Sequence, residues 1–267
     1  MNQNHPRSIP RATSMPSFAP LFSVGTERVG VRWLGMNYLA DPAILESLLP
    51  APLTRGRTPE VGLWIAEFIG AEFIAPDGTV ERRPAYMQGG VSVRCDYHGT
   101  DSAYAVVTFV EGLNHGILGR EQFGLPKKQA REVRLQEKEA GLDVSFVTAG
   151  GIPLLSAAVN LDGRDDDERP APEWFDHHLT HKLIPSAEGS GFDISRLVEI
   201  PWAFSQFEDV RHGDARVAWA EDRTDPLHLL APIGAVQAHY GRSVLNISYG
   251  TYREHVTDFT SFGSPSW

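Results

Sequence analysis

The sequence predicts a mainly β (α+β) protein: a closed or strongly curled antiparallel β-barrel with a few short helices. Three observations predict it. Segments in which apolar and polar residues alternate recur along most of the 267 residues, and β-branched and aromatic side chains concentrate in them. Gly, Pro and Asp turn signals separate these segments at short intervals. Helix starts, by contrast, are few.

Taken in order, Val29, Val31 and Trp33 alternate with polar or small residues and open a strand that reaches about Tyr38. A short helix follows. Asp41 is a good N-cap, Pro42 suits the first helical position, and Ile44, Leu45, Leu48 and Leu49 form its apolar face before Pro50 stops it. Strands are expected from Val61 to Ile74, Gly90 to Tyr97 and Ala103 to Val110. Val133 and Leu135 lead to a turn at Glu139 to Gly141, and Leu142, Val144 and Phe146 return in the manner of a hairpin. Leu154 to Leu161 is a further strand, and the acidic run 165–168 reads as a solvated surface loop. Trp174 to Thr180 is read as helical, followed by an extended stretch from Lys182 to Pro185. Arg216 to Trp219 and Val236 to Tyr249 continue the β pattern, with a second helix start at Asp225 and Pro226 between them.

Composition bounds the function. With 42% hydrophobic and 22% charged residues, the chain can bury a sizeable core. The expected organisation is a flexible arm at residues 1–22, rich in Pro, Ser, Asn and Arg, followed by one domain over 23–267. A net charge of -10 argues against nucleic acid as a partner, and Arg55/Arg57 and Arg82/Arg83 are too sparse to make a basic patch. No stretch is long and apolar enough to span a membrane. The single cysteine, Cys95, excludes an intrachain disulfide and reads as a small core residue in a cytoplasmic protein.

The most distinctive stretch is Gly119 to Ala130, GREQFGLPKKQA, in which two lysines follow a proline in an apolar, glycine-punctuated context. An ordinary lysine, with a pKa of about 10.4, is a free amine in only about one molecule in a few thousand at pH 7. Burial can lower that value by several units, to near ~6, at ~1.4 kcal/mol per unit. On a strand, Lys127 and Lys128 would point to opposite faces, so desolvation should outweigh repulsion between them.

This segment resembles the acetoacetate decarboxylase family, whose sequences carry a GRE stretch and a PKK element. Further similarity lies in PAPL at Pro50 to Leu53, HKLIP at His181 to Pro185 and the stretch from Gly213 through DPLH, covering roughly residues 25–255. Acetoacetate decarboxylase is itself the standard example of a lysine activated by desolvation or a cationic neighbour. The resemblance implies that Lys127 forms a Schiff base with a ketone, that Lys128 is its cationic neighbour, and that no cofactor or metal is needed. It also implies a small oxo acid as substrate and a homo-oligomer. Glu121 and Arg120 would orient substrate or pair as a structural clamp. Arg28, or Arg32, stands near the family's carboxylate-binding arginine, and Tyr252 offers a phenol for proton transfer.

Two departures from the decarboxylase pattern stand out. Gln88, in YMQGG, occupies the place of a glutamate, and Trp64 lies near the place of another. An amide there leaves a donor that could hold a retained carboxylate, with Glu67 or Glu72 as substitute acids. The expected activity is therefore a carbon–carbon lyase, decarboxylating acetoacetate or a related 3-oxo acid, with a pyruvate aldolase-dehydratase as the alternative. A non-catalytic barrel that binds a small ligand is the rival from another class. His177, His178 and His181 lack the partners of a zinc site, and Gly189-Ser190-Gly191 does not complete a nucleophile elbow. No dinucleotide or P-loop glycine pattern is present.

Overall fold

The computed structural model describes residues 14–16, 18–22, 24–139, 141–164 and 172–260. The elements run β1 (Thr26–Leu39), α1 (Pro42–Leu48), β2 (Thr54–Arg55), β3 (Glu60–Ile74), β4 (Val80–Arg82), β5 (Tyr86–Tyr97), β6 (Thr100–Val110), α2 (Leu113–Phe123) and β7 (Lys127–Lys138). There follow β8 (Gly141–Thr148), β9 (Pro153–Arg164), β10 (His178–Pro185), β11 (Phe192–Ile200), β12 (Trp202–Trp219), β13 (Ile233–Ile247) and β14 (Thr251–His255).

Hydrogen bonding runs from β6 through β7, β8, β9, β12, β13, β1 and β3 to β5, and β5 pairs with β6 again. The sheet thus curls into a ring of strands, as expected of a strongly curled sheet, though it is not a plain barrel. β6 forks. One stretch, Thr108 to Val110, pairs with β7, and another, Ala103 and Tyr104, pairs with β10, which carries β11 and β14 as an outer layer. Both of these pairings are parallel, against the antiparallel expectation. The β6–β7 pair can be parallel because α2 supplies the long crossover that such a pair needs.

Alternation along β1 shows how the sequence sorts the layers. Leu34, Met36 and Tyr38 enter the ring core with Leu63, Ile65, Val91, Val133 and Phe146. Val29, Val31 and Trp33 face the other way, into a second cluster with Ala66, Phe68 and Leu245. Cys95 is buried in a third cluster with Leu53, Leu179 and Leu197.

Local chemistry explains the helices. Asp41 caps α1 by accepting from the Ala43 amide at 2.8 Å. α2 ends at Gly124, whose φ of 73° is left-handed and whose missing Cβ would strike the Lys182 backbone at 2.3 Å. The sequence reading missed α2, because Gly116 and Gly119 lower its helix propensity and its apolar face is weak. The helix expected over 174–180 is corrected: only a 3₁₀ turn, Glu173–Asp176, forms, and His178 already begins β10. The second expected start is a 3₁₀ turn at Leu227–Leu230.

Residues 1–13 and 17 of the expected arm, and the acidic run 165–168, lie outside the described residues. Within the arm Ser14 and Phe22 are buried, and the Phe22 amide donates to Ser14 Oγ at 3.1 Å.

Candidate active site

Lys127 is the first residue of β7, set directly after the turn that follows α2. Its amide donates to Leu125 O at 2.7 Å, and Arg120 of α2 donates from Nη1 to the Lys127 carbonyl at 2.8 Å. The side chain then runs over the helix at Gly119. A Cβ built there would lie 2.7 Å from Lys127 Cε and 3.0 Å from Nζ, so the glycine of GRE makes room for the lysine of PKK.

The lysine projects into a cavity of about 330 Å³. Its floor is built from neighbouring strands. Gly35, Trp64 and Gly90 stand side by side, then Trp33, Ala66 and Gln88, then Val31, Phe68 and Tyr86. All share one face by the two-residue period of strands. Leu118, Gly119 and Phe123 of α2 supply other walls, and Phe175, Trp202, Phe204 and Phe207 add to the aromatic lining. Trp64 meets Trp202 edge to face at 6.4 Å, and Phe68 stacks on Tyr86 at 4.8 Å.

Four titratable groups line this cavity with Lys127: Glu27 at the start of β1, Arg83 just before β5, Tyr86, and Asp176 of the 3₁₀ turn Glu173–Asp176. Lys127 is 6% exposed. Burial lowers its pKa to about 8; the Arg83 guanidinium pushes the same way, and the Glu27 carboxylate opposes them. Burial raises Glu27, against the pull of Arg83 and Lys127. Tyr86 is raised by burial and by Glu27. At a pKa of about 8, on the order of a tenth of the amine is free at neutral pH, several hundred times the fraction of an ordinary lysine.

Of the residues singled out from the sequence, the cavity brings together Lys127, Gln88 and Trp64. Gln88 is buried, and its Oε1 has no hydrogen-bond partner among the described residues. The others lie elsewhere. Lys128 points to the opposite face, as the strand period requires, and pairs with Asp225 beside a separate cavity of about 220 Å³. Glu121 is exposed on α2, and Arg120 reaches the Lys127 backbone but not the cavity. Arg28 is exposed, whereas Arg32 bonds to Glu67 at 2.9 Å. Glu72 pairs with Arg82. Tyr252 is 47% exposed, with the guanidinium of Arg196 over its ring at 4.7 Å. His177 bonds to Glu199 and His181 to Ser195, and no group of three or more metal-ligating side chains occurs among the described residues.

Sequence reasoning missed Glu27, Arg83 and Tyr86. One signal is present: Glu27 adjoins Arg28, the residue near the family's carboxylate-binding arginine, so the acid is marked only by its neighbour. Nothing local marks Arg83, whose guanidinium is tucked over Phe73 at 4.4 Å and is near Glu81 in a hairpin that reads as exposed.

A curled, mostly β ring with one lysine amine buried in an apolar cavity between an acid and a guanidinium defines a pocket-lysine class of protein. The family model described as acetoacetate decarboxylase (ADC) matches residues 8–256, and the chain belongs to this family of lyases. "Acetoacetate decarboxylase 2" of Mesorhizobium japonicum is 29% identical over 227 residues, covering 83% of this chain and 78% of that protein. "Acetoacetate decarboxylase" of Chromobacterium violaceum is 29% identical over 235 residues, covering 85% of each. Among solved structures, the enduracididine biosynthesis enzyme MppR, complexed with the condensation product of pyruvate and imidazole 4-carboxaldehyde, superimposes with a TM-score of 0.76 at 17% identity. It covers 92% of this chain and 98% of its own. An acetoacetate decarboxylase gives 0.77 at 17% identity, covering 91% and 95%.

Proposed function

We propose that the protein is a Schiff-base lyase that decarboxylates an acetoacetate-like 3-oxo acid through Lys127. The observation that carries this reading is the seat of the amine: buried in an apolar cavity over Gly119, with Glu27 and Arg83 for neighbours. The free amine adds to the ketone carbon, and loss of water leaves an iminium. The bond to the carboxylate then breaks, carbon dioxide leaves, and the electron pair moves into an enamine. A proton returns to carbon, and water releases the ketone and the amine.

The companions fit these steps. Arg83 is the cavity's guanidinium and suits a substrate carboxylate on arrival. Glu27, with its proton affinity raised by burial, suits proton delivery to the enamine. Relatives named acetoacetate decarboxylase that cover most of the chain support the same reaction.

A second reading, an aldolase-dehydratase acting on pyruvate and an aldehyde, is favoured by one observation. Gln88 puts a neutral amide in the cavity where the decarboxylase pattern has a glutamate. Borohydride reduction in the presence of acetoacetate or pyruvate tests both. An adduct mass on the peptide containing Lys127 is expected, and an unmodified peptide would dismiss both readings along with Schiff-base chemistry. Carbon dioxide from acetoacetate supports the first, and an unsaturated 2-oxo acid from pyruvate plus aldehyde the second.

A further inference from the structure

The cavity holds more than a four-carbon acid needs. At about 330 Å³ it falls within the ~300–1,000 Å³ range of pockets that enclose drug-sized ligands. The volume is also divided by chemistry. Glu27, Arg83 and Tyr86 come from the start of β1 and the lead into β5, and these are the charged or phenolic neighbours that act on one another around Lys127. Along the same strands the lining turns largely aromatic and apolar, Trp33 beside Ala66 and Trp64 beside Gly35, with Asn37 and Asp176 as the polar residues at its far margin. Phe175 closes over this end, its ring lying 2.5 Å from where a Cβ on Gly62 would be.

Gly35 is the telling residue. It lines the cavity in the interior of β1, where glycine weakens a strand relative to alanine. Its backbone is not left-handed, and a Cβ there would meet nothing within 4 Å. No turn, close approach or crossing strand demands a glycine. What it preserves is empty space next to Trp64.

We infer that the preferred substrate is an oxo acid with an aryl arm, its ketone at Lys127 and its ring in the space kept open between Gly35, Trp33, Trp64 and Phe175. The inference rests on the proposed reaction of Lys127 with a ketone, and it adds the substrate class. Aromatic walls suit a ring, because offset and edge-to-face contacts add to the gain from burial.

The test is competitive borohydride trapping on the full-length chain, with 3-oxo-5-phenylpentanoate against acetoacetate. Its readout is the rate of adduct formation on the Lys127 peptide, independent of later steps. The aryl acid is expected to be captured about 10–100-fold faster, the range that burial of one such ring gives. Gly35→Leu, which places a side chain in open space on a strand, should bring that ratio to about one or below. Trp64→Ala should lower the ratio as well, which separates lost contacts from lost volume. A wild-type ratio near one, with Lys127 modified by both acids, overturns the aryl arm and leaves the amine chemistry standing. A high ratio that Gly35→Leu leaves intact overturns the placement of the arm. No adduct with either acid overturns the amine chemistry, and the inference falls with it.

Discussion

At the scale of single residues, the proton of the Lys127 amine is governed first by burial and then by two charges, Glu27 and Arg83, that came only from the structure. Capture of a ketone by Lys127 requires the free amine, so its rate should rise with pH through about 8. Glu27→Gln removes the anion that holds the proton on, and the rise should move to lower pH, with several-fold faster trapping at pH 7. Arg83→Met removes a repelling cation, so the rise should move to higher pH with slower trapping. Lys128→Met should leave the profile in place, because Lys128 faces Asp225 on the other side of the strand. A pH series of borohydride trapping reads all three. Stability follows the same proton. The unfolded chain keeps it up to about 10.5 and the folded chain releases it at about 8, so the unfolded state binds more protons between those values and native stability rises with pH there. Lys127→Met should therefore stabilise the protein at pH 7 by up to about 3 kcal/mol while abolishing trapping. Urea unfolding should show that advantage shrinking by pH 10.

At the scale of elements, the site is a contract between α2 and β7. The helix lends Gly119 as a saddle for the lysine side chain and Arg120 as a clamp on its carbonyl. Gly119→Ala puts a methyl 2.7 Å from Lys127 Cε, and the amine must move. A misplacement of this order can cost about 10²-fold. Trapping should slow by roughly 10–100-fold, while circular dichroism retains the wild-type spectrum. Most of the ring strands were legible in the sequence where alternation is strong: Val29, Val31 and Trp33 announce β1, and the capped start at Asp41 announces α1, whereas β11, β14 and the part of β12 before Arg216 were not. α2 was not, since glycines chosen for close approach to Lys127 and Val110 disguise a helix as a loop. Lys127 was legible from PKK, and its opposite orientation from Lys128 followed from the strand period alone. Glu27 and Arg83 were not, because they lie 100 and 44 residues from Lys127 in sequence and meet it only when β1, β3 and β5 align.

At the scale of the whole molecule, the ring and the outer layer divide the work. The ring core, from Leu34 and Met36 to Phe146 and Tyr240, is closed and apolar. The cavity wall of Trp33, Ala66 and Phe68 lies on the reverse of that same sheet. Rigid strands thereby hold the floor to which Gln88 and Tyr86 belong, while α2 and the Glu173–Asp176 turn cover it from outside. No helix among the described residues is long and apolar enough to cross a membrane.

The fork in β6 gives this architecture a seam. Where one strand edge is shared between two partners, the ladder on one side can unzip without disturbing the other. β10, β11 and β14 can therefore breathe as a unit while the closed circuit stays intact, in the manner of a sub-global opening. Deuterium uptake should separate the two sets: amides of β10, β11 and β14 exchanging together and sooner, those of β1, β3 and β13 persisting to the limit of global unfolding. Uniform exchange across both would mean that the junction is welded and that access to the buried amine opens somewhere else.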